Sequence, residues 1–419
     1  MRKILLGMLT ILFIHLGLPF LIWPDAALAE NPTIAVLLPL TSDAENSEFV
    51  ERGILSALTT TALTAPSSYP HTYTVTVGSV SVDILITDDE ASQTVMATQA
   101  ADQNVIAIVT RTSSSSSAAG NLDPTDITII TTTATSSHLQ SITNLLMMAP
   151  SNTRLSTAIY RVIGEDKISK FVIVYEPDIY GGDLFITLKN RFFNAFMQEF
   201  MRDTNGDIIN DAENNPLAPS RLIGSFPMFD SISTLKDAQK GLHIIQVANV
   251  INDLAPDAIA YLGFDPGFKK AFEELSTAGL ASVKWYTGDA VQKDSVLSIT
   301  NIESSNLKVV TLGLGADRTQ MIADYNTAYG VTPPESFLVD YAYDAGLFIK
   351  AVVNAVSGAS ATLNRSNFLT YAQTTDIDGI TGKKGFEHME NEVGQFDVWT
   401  VNSSKLWEKT SQTLNLTGE

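Results

Sequence analysis

Two runs of short hydroxyl side chains carry the first chemistry legible in this 419-residue chain. Ser113, Ser114, Ser115, Ser116 and Ser117 follow the apolar run VIAIVT, and Thr131, Thr132, Thr133, Thr135, Ser136 and Ser137 end a β-branched run that begins at Ile127. Hydroxyls beside a strand end can cap a helix, fill a loop or hold a ligand. A third candidate lies in DTNGDIINDAEN, where Asp203, Asn205 and Asp207 have the first three ligand spacings of a calcium loop. Ile208 stands where the usual turn glycine would be, with Asp211 and Glu213 close enough in sequence to complete a coordination sphere. A solvated acidic loop is the alternative, and calcium there would be structural. Nothing favours catalysis. His15, His71, His138, His243 and His388 are scattered, there is no thiol, and the HExxH, GxSxG and Walker patterns are missing. His138 reads as a helix-start residue, and no cofactor is required.

Composition bounds the setting. Arg2 and Lys3 precede an apolar stretch over residues 4–23, and Ala27, Leu28 and Ala29 supply a small-x-small cleavage pattern, so residues 1–29 read as a secretory signal peptide. An uncleaved anchor is the alternative, because the run approaches a spanning length. With no cysteine to carry a lipid, the processed chain of about 390 residues is expected to be exported, soluble and periplasmic, without membrane insertion. Its stability must come from buried apolar area, not disulfides, and 45% hydrophobic residues suffice for that. A formal charge of −20 disfavours nucleic acid and anionic lipid as partners.

The elements that must position these groups alternate in type. TIAVLLPL (33–40), VDILIT (82–87) and VIAIVT (105–110) are apolar runs of the kind expected for strands buried on both faces, with helices predicted at 49–61 and from Ser92 to Ala101 between them. After Pro150 a second series begins: a strand at 170–175, a turn at 178–182, a helix at 184–201, strands at 258–262 and 283–286 around a helix at 267–278, and a strong helix at 340–356. Alternating strands and helices predict α/β units with mainly parallel sheets. Residues 203–219 interrupt the pattern as a polar insertion.

Nine blocks, in order, resemble the type I periplasmic binding proteins for leucine, isoleucine and valine, the substrate-binding subunits of ABC importers. They are the strand at 34–40, SVDILITDDEAS, VIAIVTRTSSSSSAAG, TTTATSSHL, VIVYEPDIYGGDL, PDAIAYLGFDPG, TAGLASVKWYTGDAV, YAYDAGLFIKAV and GITGKKGFEHMENEVGQFDVW. The resemblance implies two Rossmann-like lobes with mainly parallel sheets, joined by three hinge crossings near 149–153, 288–292 and 376–382. Lobe 1 would then comprise 30–150 and 290–378, and lobe 2 would comprise 151–289 and 379–419. It also implies a small-molecule ligand, an amino acid or amide, closed between the lobes and delivered to ABC permease subunits.

Residue by residue, the resemblance implies that Ser114, with Ser115 adjacent, and Thr133 with Thr135 hold an α-carboxylate through hydroxyls and backbone N–H groups near helix starts. Capping by Thr135 or Ser136 is compatible with that role. Asp289 in YTGDAV would receive the ammonium, and Tyr180 and Phe264 would cover the ligand with aromatic surface. Thr132, Thr133 and Ala134 depart from the family's Pro-Ala-Ala, and the loop at 41–51 departs from its Gly-rich form, which puts the identity of the side chain bound in doubt. A ligand-sensing module of the same fold, or a ligandless envelope interaction protein, are the other readings.

Overall fold

Continuous apolar runs form the middle of two sheets in the computed structural model, which describes residues 31–64, 68–89, 92–122, 127–200, 221–228, 237–280, 282–386 and 394–416. The first sheet contains β1 (Thr33–Leu38), β2 (His71–Val77), β3 (Val80–Asp88), β4 (Val105–Thr110), β5 (Thr128–Thr131) and β6 (Leu145–Met147), in the order β2-β3-β1-β4-β5-β6. Its pairings are parallel except for the β2–β3 hairpin. Burial of every residue of β1 after Thr33, and of all of β4, is what helices on both faces of a parallel sheet require. The helices of this part are α1 (Ala44–Leu58), α2 (Ser92–Ala101) and α3 (Ser113–Gly120).

The second sheet has β7 (Lys170–Tyr175), β8 (Arg221–Pro227), β9 (Ala258–Leu262), β10 (Lys284–Thr287), β11 (Leu307–Leu312), β14 (Gly394–Val401) and β15 (Trp407–Leu416), in the order β15-β14-β11-β10-β9-β7-β8. Its first five strands in sequence pair in parallel, and β14 and β15 close one edge antiparallel. Around it lie α4 (Asn152–Glu165), α5 (Ile179–Phe200), α6 (Asp237–Leu254), α7 (Asp265–Leu275) and the short α8 (Asp294–Leu297). Next come α9 (Thr319–Tyr329), α10 (Phe337–Gly358) and α11 (Arg365–Ala372), followed by a small hairpin of β12 (Ile377–Gly379) and β13 (Gly382–Lys384). One apolar cluster runs from Ile34 and Val36 through Met148 and Leu155 to Phe171 and Ile173, so the inner faces of both sheets share a core. The signal-peptide reading of 1–29, the polar insertion at 203–219 and its Asp203, Asn205, Asp207 and Asp211 lie outside the described residues.

Two expectations need correction. The second crossing does not occur near Gly288–Gln292, and residues 290–312 do not belong to the first lobe. Trp285, Tyr286 and Thr287 pair in parallel with Leu307, Lys308 and Val309, so β11 extends the second sheet and the chain leaves that lobe only after Leu312. The reason is packing: LKVVTL is an apolar strand that covers the open edge of β10. The turn expected at 178–182 is the start of α5. The Asp178 carboxylate accepts the Gly181 N–H at 2.6 Å and caps the helix. A Cβ on Gly181 would come within 2.5 Å of the Glu176 carbonyl oxygen and 2.7 Å of that of Leu262, so glycine is what allows this helix to start against the strand ends.

Buried carboxylates fasten the crossings. Asp340 and Asp344, one turn apart on α10, accept the Gly315 N–H at 2.8 Å and the Ile380 and Thr381 N–H groups at 2.8 and 2.9 Å. From the second lobe, Asp397 accepts the Leu314 N–H at 3.4 Å, and the second and third crossings join through Ala316 N–H to the Ile380 carbonyl at 3.0 Å. These bonds pair backbone amides of the crossings that no sheet ladder satisfies.

Gly181→Ala is therefore expected to cost about 1–3 kcal/mol in chemical denaturation, the usual cost of overpacking against backbone. Gly358→Ala, at a position where a Cβ meets nothing within 4 Å, should cost nothing measurable.

Candidate functional site

Open parallel sheets leave a crevice where successive connections leave in opposite directions. In the first sheet that point lies between β1 and β4, and in the second between β7 and β9. The loops leaving these strands face one another across a cleft of about 860 Å³, whose walls also take in the ends of β5 and β10.

The first-lobe wall is built on the β4 and β5 ends. Ser114 is exposed in the first turn of α3, and Thr133 and Thr135 follow β5; all three line the cleft. The Thr135 carbonyl accepts the Asn152 N–H, which ties this wall to the first crossing, and the Thr133 hydroxyl donates to the Arg111 carbonyl at 3.4 Å. Ser115 is the exception among the expected residues. Its hydroxyl is buried behind the wall, where it donates to Asp89 and contacts the Thr112 hydroxyl at 2.7 Å. Successive helical residues point about 100° apart, so when Ser114 faces the cleft, Ser115 cannot. Thr112 is the helix cap, accepting the Ser115 N–H at 3.1 Å.

The second-lobe wall brings Tyr180, Phe264 and Asp289 together. Tyr180 leaves the first turn of α5 and donates its hydroxyl to Asp289 Oδ1 at 2.6 Å, and its ring lies 5.3 Å from that of Phe264, centroid to centroid. Gly288 makes the approach possible, because a Cβ there would stand 2.5 Å from the Tyr180 hydroxyl. Burial pushes the Asp289 carboxyl above the ordinary carboxylate range, with the Tyr180 hydrogen bond opposing the shift. Burial and the neighbouring Asp289 raise the Tyr180 phenol in turn, so it stays protonated and keeps donating. Among the described residues Asp289 has no ion-pair partner. It is a partly buried carboxylate that lines the same cleft as Ser114, Thr133 and Thr135.

Three site residues escape the sequence reading. Arg111 Nη2 lies 2.5 Å and Lys293 Nζ 3.2 Å from the same oxygen, Asp43 Oδ2. Arg111 is the first residue past β4, Asp43 sits in the loop after β1, and Lys293 follows the 3₁₀ turn Asp289–Val291 in the second lobe. Burial alone would raise the Asp43 carboxyl, but the two cations outweigh it and hold it below its ordinary value. A lone basic residue straight after an apolar strand was the available signal for Arg111; the pairing with Asp43 and Lys293 joins three distant loops and has none.

No protein-family model and no curated protein matches the chain by sequence. Solved structures do match by shape. A leucine-binding protein of Thermotoga maritima superposes with a TM-score of 0.65 at 17% identity, over 91% of this chain and 98% of that one. An ABC transporter substrate-binding protein of Desulfitobacterium hafniense, solved with Leu, gives 0.63 at 15% identity over 91% and 100%. A solute-binding protein of R. palustris in complex with 4-hydroxybenzoate gives 0.66 at 13% identity over 92% and 97%. The likeness establishes the two-lobed type I periplasmic binding protein fold for this chain.

The opposite orientations of the two serines give a direct check. Ser115→Ala removes a buried donor to Asp89 and should lower unfolding stability by about 1–3 kcal/mol. Ser114→Ala, at an exposed cleft position, should stay within about 0.5 kcal/mol of the parent.

Proposed function

We propose that this chain is the solute-binding protein of an ABC importer, exported by a cleavable signal peptide, which captures an amino acid or related small zwitterion between its lobes and presents the closed form to permease subunits. The observation that carries this reading is the pairing of unlike walls: hydroxyls and a helix start on one side, a desolvated carboxylate on the other. A free amino acid presents the complementary groups on one carbon. Its carboxylate would take the Ser114, Thr133 and Thr135 side, where hydroxyl and backbone donors converge and the dipole of α3 favours negative charge. Its ammonium would meet Asp289, with Tyr180 and Phe264 adding apolar cover and cation–π attraction.

Asp289 also decides between the solute types found in proteins of this shape. Benzoates, which occupy the R. palustris proteins, carry a carboxylate but no cation. Closing the cleft on such a ligand would leave Asp289 buried with nothing to neutralise it, at a cost of several kcal/mol. An ammonium removes that cost.

Mechanistically the solute works as a bridge. Contacts with both walls exist only when the lobes are together, so the ligand stabilises the closed state by its differential affinity, and no covalent step is needed. To take the closed population from 1% to 99%, that difference must reach about 5.5 kcal/mol.

A thermal-shift screen of the amino acids, their amides and hydroxybenzoates should give a clear rise in Tm with one or a few amino acids and none with benzoates. A rise with benzoates alone would contradict the zwitterion reading. For the solute so identified, affinity should fall as pH is lowered through the raised Asp289 value. The sign follows because an ammonium binds the ionised carboxylate, so binding releases the proton that the free protein holds there at acid pH. Asp289→Asn should weaken binding by about 3–5 kcal/mol and flatten this pH profile.

A further inference from the structure

The ion triad Asp43–Arg111–Lys293 lies at the switch point of the first sheet, beside the wall assigned to the α-carboxylate. It gathers one cation from each lobe on a single carboxylate oxygen, so the three groups together carry a net charge of +1. Asp43 is fully engaged: besides the two cations it accepts the Asn46 side-chain amide at 3.0 and 3.1 Å on its two oxygens. Arg111 is not. Its side chain is 11% exposed, it lines the cleft, and its Nε–H is buried with no acceptor. A guanidinium offers five donors in a fixed plane suited to carboxylate, and a buried donor left unmet is unfavourable.

Position separates this group from the α-carboxylate wall. Thr133 and Thr135 follow β5, on one side of β4, and Asp43 follows β1, on the other. A solute whose carboxylate lies toward β5 and whose ammonium meets Asp289 has its side chain free to extend toward β1. Resting on the reading of the site given above, we propose that Arg111 and Lys293 form a second anion-receiving position in this cleft, so that the preferred solute is an amino acid whose side chain ends in a carboxylate.

Of the other acidic residues lining the cleft, Asp397 is paired with Lys409, and Asp178 and Asp265 keep their charge while accepting the Gly181 N–H and the Ser295 hydroxyl; none of the three forms an ion pair with Arg111 or Lys293. Glu45, Asp294 and Glu335 are exposed, and salt screens them. Their effect falls on the rate of entry more than on the bound state.

Calorimetric titration of the full processed chain with glutamate, aspartate, glutamine and leucine tests the proposal. Glutamate or aspartate should bind at least tenfold more tightly than glutamine or leucine. Arg111→Gln and Lys293→Met should each abolish that preference, weakening the acidic ligand tenfold or more while changing glutamine less than threefold. Arg111→Lys should retain part of it, and a single cooperative melting transition of each free variant confirms folding. Leucine or glutamine binding as tightly as the acidic pair would overturn the second position while leaving the solute-binding function intact. Equal weakening of acid and amide in Arg111→Gln would do the same and assign the triad to lobe closure. Absence of binding by any amino acid would overturn both this inference and the function on which it rests.

Discussion

A carboxylate withdrawn from water must be neutralised, protonated or otherwise compensated, and much of this molecule's chemistry follows from where Asp289 is withdrawn. Its loop is held at the end of β10, it lines the cleft, and among the described residues its side-chain hydrogen-bond partner is a phenol that cannot cancel charge. A neutral donor stabilises the anion partway and leaves room for a cation. Among the described residues the opposing wall makes no ion pair with Asp289: its Arg111 is engaged with Asp43, and Ser114, Thr133 and Thr135 contribute hydroxyls. On the function proposed above, complementarity is completed by a third body carrying both charges.

The same economy governs the hinge. Crossings between lobes must be thin enough to bend, and thin segments expose backbone amides that neither sheet can satisfy. Asp340, Asp344 and Asp397 satisfy them. Burial raises both the Asp340 and Asp344 carboxyls above their ordinary values, with hydrogen bonds and the nearby Arg318 and Lys384 opposing the shift. Donors clustered on each carboxylate fix the path of the crossing without bulk.

Much of this was legible in the residues, for reasons that also explain what was not. VIAIVT and KFVIVY became strands with the expected bounds, because a run buried on both faces needs no periodicity to be recognised. LKVVTL has the same character, yet it lies in the stretch assigned to the first lobe; only pairing with β10 shows which sheet it joins, and pairing is a long-range property. Within the site, Ser114 and Ser115 are chemically identical neighbours, and the phase of a helix that starts one residue earlier separates them. Asp289 and Tyr180 were legible through order of blocks alone, their hydrogen bond being 109 residues long in sequence. Arg111, Asp43 and Lys293 meet only because the cleft brings three loops together.

The central claim is the direction in which a solute lies between these walls. A crystal structure of the closed complex with the amino acid that gives the largest thermal shift reads it directly. With the solute oriented as proposed, the ammonium lies within about 3 Å of an Asp289 oxygen and the α-carboxylate against Ser114, Thr133 and Thr135. A solute lying the other way round, or one bound with its nitrogen away from Asp289, would contradict it.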